Sequence, residues 1–126
     1  MLFQWIGPDG VLKNLNVPDV YLNVSLDGNA SLAQAGGLVF VNEGRVSNVY
    51  ISGTVNVRNS TFGGIAKHNS EGAVIENSVS ELVINVDNSA FENALVVGGI
   101  AGTSRGGLID NCRFGGSINV TAWVGG

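Results

Sequence analysis

Apolar and polar positions along the chain follow one short plan that recurs four times. Each copy opens on a glycine, runs through a brief apolar strand and ends that strand on asparagine. The copies are Gly10-Val11-Leu12-Lys13-Asn14, Gly44-Arg45-Val46-Ser47-Asn48, Gly72-Ala73-Val74-Ile75-Glu76-Asn77 and Gly107-Leu108-Ile109-Asp110-Asn111, the third with one extra residue. Eight or nine residues later a second asparagine stands between two aliphatics: Leu22-Asn23-Val24, Val55-Asn56-Val57, Ile84-Asn85-Val86 and Ile118-Asn119-Val120. Strict alternation there predicts strands that turn Leu22, Val55, Ile84 and Ile118, together with Val24, Val57, Val86 and Val120, into a core. Asn23, Asn56, Asn85 and Asn119 are then expected outside, stacked in a column whose amides hydrogen-bond along the stack. Around the first asparagine the apolar spacing widens to three, as in Leu12 to Leu15 and Val46 to Val49, which predicts a bend. Asn14, Asn48, Asn77 and Asn111 are expected to form a corner ladder whose amides satisfy backbone groups freed by the turn.

Equivalent asparagines 14, 48, 77 and 111 lie 34, 29 and 34 residues apart, a period typical of stacked supersecondary units. Such a period suits two or three short strands per turn of chain, each pairing in parallel with its equivalent one turn away, at about 4.8 Å. The expected fold is all-β: a single domain, residues 1–126, forming a right-handed parallel β-helix (β-solenoid) of about four coils with uncapped ends. The coils fall at approximately 2–34, 35–61, 62–96 and 97–126. Gly-Gly pairs at 36–37, 63–64 and 98–99 mark corners where positive φ or close approach of two coils excludes a Cβ atom. Gly125-Gly126 reads as the opening of a further coil. The chain is therefore expected to be a piece of a longer solenoid, or a subunit that stacks head to tail.

Ala35-Gly36-Gly37-Leu38-Val39, Phe62-Gly63-Gly64-Ile65-Ala66 and Val97-Gly98-Gly99-Ile100-Ala101-Gly102, each followed by a glycine-strand-asparagine unit, resemble the GLUG-motif repeats of bacterial surface proteins. The segment from Leu2-Phe3-Gln4-Trp5 to Asn14-Leu15 looks like the first coil of the repeat region that precedes the catalytic domain in bacterial immunoglobulin A peptidases and related adhesins. The resemblance covers nearly the whole chain. It implies a cell-surface or secreted, extracellular location in a bacterium and a structural or adhesive role. The family's peptidases carry a zinc-binding HExxH helix, whereas this chain has a single histidine and no such motif, so peptidase activity is not expected within it.

Composition narrows the partners. Charged residues make up 13% and the formal net charge is -4, which disfavours nucleic acid and anionic membrane surfaces, both of which select clustered positive charge. No segment approaches the run of about 18 apolar residues that a membrane span needs, and the first residues lack the pattern of a signal peptide. If the parent protein is secreted, its signal is expected upstream. Cys112 is the one cysteine, so neither an intramolecular disulfide nor a CxxC zinc site is possible.

No catalytic, cofactor-binding or metal-ligating set emerges from the motifs. His68, in Lys67-His68-Asn69-Ser70, is expected at a solvent-exposed corner without an acid-base partner. Asp9, Glu43 and Glu71 each precede the repeat glycine, with Arg105 at the fourth position. Stacking would bring three carboxylates into one column, offering oxygen ligands of the kind calcium takes or simply a solvated acidic corner. Asp110 and Arg113 are too isolated to support a reaction. Segments 25–34 and 87–96 are expected to bulge at the same corner of coils one and three, where insertions form a binding face or fold back over the core. These features predict a non-catalytic module that spaces or presents a binding surface for a host or cell-surface protein or glycan. The alternative is a polysaccharide-active β-helix, a lyase or hydrolase.

Overall fold

The computed structural model describes residues 2–25, 34–58, 60–88 and 96–122. Within them the chain is all-β, and every strand pairing is parallel. The strands fall into three sheets. The first contains β1 (Phe3–Ile6), β4 (Val39–Asn42), β7 (Ala66–Asn69) and β11 (Ala101–Ser104), stacked in that order. The second and largest contains β2 (Val11–Ser25), β5 (Arg45–Arg58), β8 (Val74–Glu76), β9 (Val79–Asn88), β12 (Leu108–Asp110), β13 (Arg113–Phe114) and β14 (Ser117–Ala122). The third holds β3 (Gln34–Gly36), β6 (Thr61–Gly63) and β10 (Val97–Gly98), ordered β3, β6, β10. The first three repeats thus visit the same three sheets in the same sequence, the described part of the fourth visits the first two, and strands of successive repeats lie side by side.

Register follows the asparagine spacing read from the sequence. Asn23 pairs with Asn56, Asn56 with Asn85 and Asn85 with Asn119. Inward positions of the two middle repeats are buried: Val46, Val49, Ile51, Val55 and Val57 from β5, with Ile75, Leu82, Ile84 and Val86 from the next repeat. Their equivalents in the outer repeats are less covered. Leu22 and Val24 are half-buried, while Ile118 and Val120 are 39% and 60% exposed, because among the described residues no further strand stacks on β14.

Asn14, Asn48, Asn77 and Asn111 all adopt the left-handed conformation, with φ of 57°, 52°, 50° and 49°. Asparagine tolerates this region far better than branched residues do, and its recurrence at the equivalent position of every repeat produces the predicted bend. The amides bond to one another, Asn48 Nδ2 to Asn14 Oδ1 at 2.8 Å and Asn111 Nδ2 to Asn77 Oδ1 at 2.7 Å. The backbone at the bend is served differently from expectation: the buried Ser78 hydroxyl accepts from Val49 N at 3.2 Å and donates to Glu76 O at 2.7 Å.

Three features lie outside the sequence expectations. Asn42 and Asn69 form a third, inward ladder, with Asn42 Nδ2 donating to Asn69 Oδ1 at 2.9 Å. Pro18 and Asp19 make a β-bulge in β2, opposite Ser52 of β5, where Asp19 has φ of 57° and Gly53 opens to φ 129°. Ser80 occupies an inward position in register with Ile51 on one side and Phe114 on the other, and its buried hydroxyl has no hydrogen-bond partner among the described residues. Replacing Ser80 with alanine removes an unpaired polar atom from an apolar column. Ser80→Ala is expected to raise unfolding free energy by about 1 kcal/mol. A urea midpoint that moves down instead would contradict this reading of the core.

Candidate functional site

The second sheet turns alternate residues outward, and parallel register gathers them into columns that run along the stack. The column at its centre is the second asparagine ladder. Asn119 Nδ2 donates to Asn85 Oδ1 at 3.1 Å, Asn85 Nδ2 to Asn56 Oδ1 at 3.1 Å, and Asn56 Nδ2 to Asn23 Oδ1 at 3.0 Å. All four repeats contribute, and the three links point the same way. Two residues towards the C-terminus in each strand lies a second column, Ser25, Arg58, Asp87 and Thr121. Arg58 Nε and Asp87 Oδ2 are 3.8 Å apart, so the column carries paired rather than excess charge. Two residues on the other side lie Tyr21, Thr54, Val83 and Ser117. Tyr21 is 68% exposed, and its hydroxyl accepts from Asn56 Nδ2 at 3.3 Å.

An open groove of about 380 Å³ follows the ladder column and the Ser25-to-Thr121 column through all four repeats. That volume lies within the range of small-molecule sites. The oxygens of Asn23, Asn56 and Asn85 each spend one of their two lone pairs on the neighbouring amide, and Asn23 and Asn85 each keep an N–H unused among the described residues. The groove therefore offers neutral donors and acceptors at regular intervals. A shallower depression of about 300 Å³ lies at the bend, among Asn14, Asn16, Asn48, Tyr50 and Asn77.

Other residues singled out from the sequence fall elsewhere. His68 is not at a corner but within β7, half-buried, and its Nδ1 shares a hydrogen bond with the Thr103 hydroxyl of the next repeat. The acidic column does not form. Strand register aligns Gly10, Gly44, Ala73 and Gly107 just before the second sheet, so Ala73 rather than Gly72 takes the repeat-glycine position. The corner segments between the first and second sheets, 7–10, 43–44, 70–73 and 105–107, differ in length, and Glu71 falls out of line with Glu43. Glu43 instead accepts from Trp5 Nε1 at 2.6 Å. Among the described residues no group of three or more acidic, histidine or cysteine side chains could hold a metal ion.

Arg113 lies 3.0 Å from Glu81, which also accepts from the Tyr50 hydroxyl at 3.0 Å, making a surface network. Arg45 bonds Glu76 at 2.6 Å, and that guanidinium holds the Glu76 carboxyl below the usual carboxylate range. Of the two predicted bulges, residues 26–33 and 89–95 lie outside the described residues. Tyr21, Arg58 and Thr121 were not singled out from the sequence. The available signal was their spacing, since each stands two residues from a ladder asparagine.

Cys112 packs against the core, its thiol 3.4 Å from Asp110 O and 3.5 Å from Ile75 O, and burial pushes its pKa up. The unfolded chain then loses this proton first as pH rises. The contribution to stability is complete below the ordinary thiol range and is lost as pH climbs through the folded-state value. Iodoacetamide at pH 8 is expected to alkylate native Cys112 several-fold more slowly than the urea-unfolded chain, as mass spectrometry of timed quenches would report.

No protein-family model, curated protein or solved structure matches the chain.

Proposed function

We propose that the chain forms about four coils of a right-handed parallel β-helix and serves as a non-catalytic module of a bacterial cell-surface or secreted protein, presenting the outer face of its large sheet as a binding surface. The observation that carries this reading is the unbroken four-amide ladder with a groove beside it. Such a face is regular and its charges are paired, and the parallel pairing beneath holds it in register. Right-handedness follows from the strong chiral preference of crossovers between parallel strands. The resemblance to GLUG-motif repeats supplies the surface location.

Binding of the purified, labelled chain to intact bacterial and host cells and to arrayed surface proteins and glycans tests the role. Saturable binding supports it. Release of new reducing ends from a polysaccharide would favour the lyase or hydrolase alternative, although retaining and inverting glycosidases need two carboxylates, and among the described residues the groove contains only Asp87.

The reading includes end-to-end association. Leu2, Phe3, Trp5 and Val11 are exposed on the first repeat, and Leu108, Ile109, Ile118 and Val120 on the last. Both outward ladders donate towards the first repeat, so a head-to-tail contact between copies matches an amide donor with an amide acceptor. The weight-average mass is expected to rise with concentration in sedimentation equilibrium. A constant monomer mass across the range would remove this part of the reading.

A further inference from the structure

Building on the binding-surface reading above, the geometry points to one class of ligand: a neutral, extended glycan chain lying in the groove along the stacking direction, one sugar unit per repeat. The argument begins with spacing. Strands in a parallel sheet repeat at about 4.8 Å, close to the advance of one pyranose unit in an extended β-linked chain. A chain laid along the ladder therefore meets an equivalent set of groups at each step.

The chemistry of those groups selects hydroxyls. Asn23, Asn56, Asn85 and Asn119 each offer an amide oxygen with a remaining lone pair, and Asn23 and Asn85 also have an unused N–H. A sugar hydroxyl both donates and accepts, so it can bridge successive rungs. A carboxylate or sulfate cannot, because it has no proton to give to the amide oxygens. Arg58 and Asp87, on the opposite wall, balance one another at 3.8 Å and add no net charge to attract a polyanion.

Tyr21 supplies the apolar element. It stands in the column next to the ladder, is 68% exposed, and is held by its hydroxyl to Asn56. A fixed aromatic ring beside amide groups fits the two faces of a pyranose, one lined with C–H bonds and the rim lined with hydroxyls. Tyr21 flanks the first-repeat end of the ladder on the side away from the Arg58–Asp87 column, and Thr121 lies at the last-repeat end of the groove.

Titration calorimetry with neutral β-1,4-linked gluco-, manno- and N-acetylglucosamine oligomers, from disaccharide to hexasaccharide, tests the inference, with oligogalacturonate as the charged probe. Affinity is expected to rise with length up to the tetrasaccharide and then level off, and oligogalacturonate is expected to bind at least tenfold more weakly. Tyr21→Ala is expected to weaken binding about tenfold, and Thr121→Trp, which fills the exposed far end of the groove, to abolish the gain from tri- to tetrasaccharide. Both positions are on the surface, so unchanged melting temperatures serve as the folding control. Affinity independent of length, or insensitive to both variants, would overturn the inference. So would preference for oligogalacturonate. Saturable binding to a surface protein without any oligosaccharide binding would overturn the glycan assignment while leaving the binding-surface reading in place.

Discussion

Gly64→Ala is expected to be severely destabilising, costing about 3 kcal/mol or more. A Cβ built on Gly64 would stand 1.9 Å from Gly99 O and 2.9 Å from Ser80 Oγ. The first of these atoms is backbone and cannot rotate away. Gly37 meets the same obstacle one repeat earlier, its Cβ falling 2.1 Å from Gly64 O. The Gly-Gly corners are thus places where consecutive repeats touch backbone to backbone, and none of these glycines has positive φ. The substitution would force two repeats apart at the centre of the stack, where Ile65 and Phe62 are fully buried. Chemical denaturation of the variant beside Gly72→Ala is the informative comparison. Gly72 has φ of 79° but open space around its Cβ, so its alanine variant is expected to lose only the milder left-handed penalty, about 1 kcal/mol. Equal losses at the two positions would mean that close approach is not what the Gly-Gly corner requires.

The second large effect belongs to Asn42. Its Nδ2 donates to Asn69 Oδ1 at 2.9 Å and to Val74 O at 3.1 Å, and its Oδ1 accepts from Gly44 N at 3.1 Å. Asn42 is fully buried, so Asn42→Ala strips partners from three groups that water does not readily reach. At about 1 kcal/mol or more for each orphaned group, the variant is expected to lose about 3 kcal/mol. Asn23→Ala, in the outer ladder, removes one amide bond at an exposed position and is expected to cost under about 1 kcal/mol. Thermal melts of the two variants check the contrast. Similar losses would show that the ladders stabilise by stacking amides irrespective of burial.

The two ladders also show how far a sequence can be read. Asn23, Asn56, Asn85 and Asn119 were legible because a strand alternates faces, and each sits between two aliphatics that fix its side. The corner asparagines were legible from a break in the same alternation, and their left-handed φ values follow from that break. Asn42 and Asn69 were not. Their neighbours include Val41 and His68, which give no clean alternation, and the corner that follows differs in length between repeats. Without register, nothing marks Asn42 and Asn69 as equivalent.

The misreadings have the same origin. Glu43 and Glu71 looked equivalent when the repeats were aligned on Gly44 and Gly72, but backbone pairing selects Ala73, whose small side chain is buried where the other repeats have glycine. His68 looked like a corner residue because polar neighbours surround it. Pairing of Ala66 and Asn69 with both adjacent repeats places it inside a strand.

Local chemistry was enough to establish the repeat, the strand faces, the bends and the outward amide column. These depend on alternation and on residue types with narrow conformational preferences, which act over a few neighbouring residues. The tertiary structure decided which residues of different repeats share a column. It thereby determined the inward asparagine ladder, the unpaired Ser80 hydroxyl, the dispersal of the acidic corner and the groove between the ladder and Arg58. Those depend on register between strands about thirty residues apart, and register is set by corner lengths and backbone contacts that no single repeat contains.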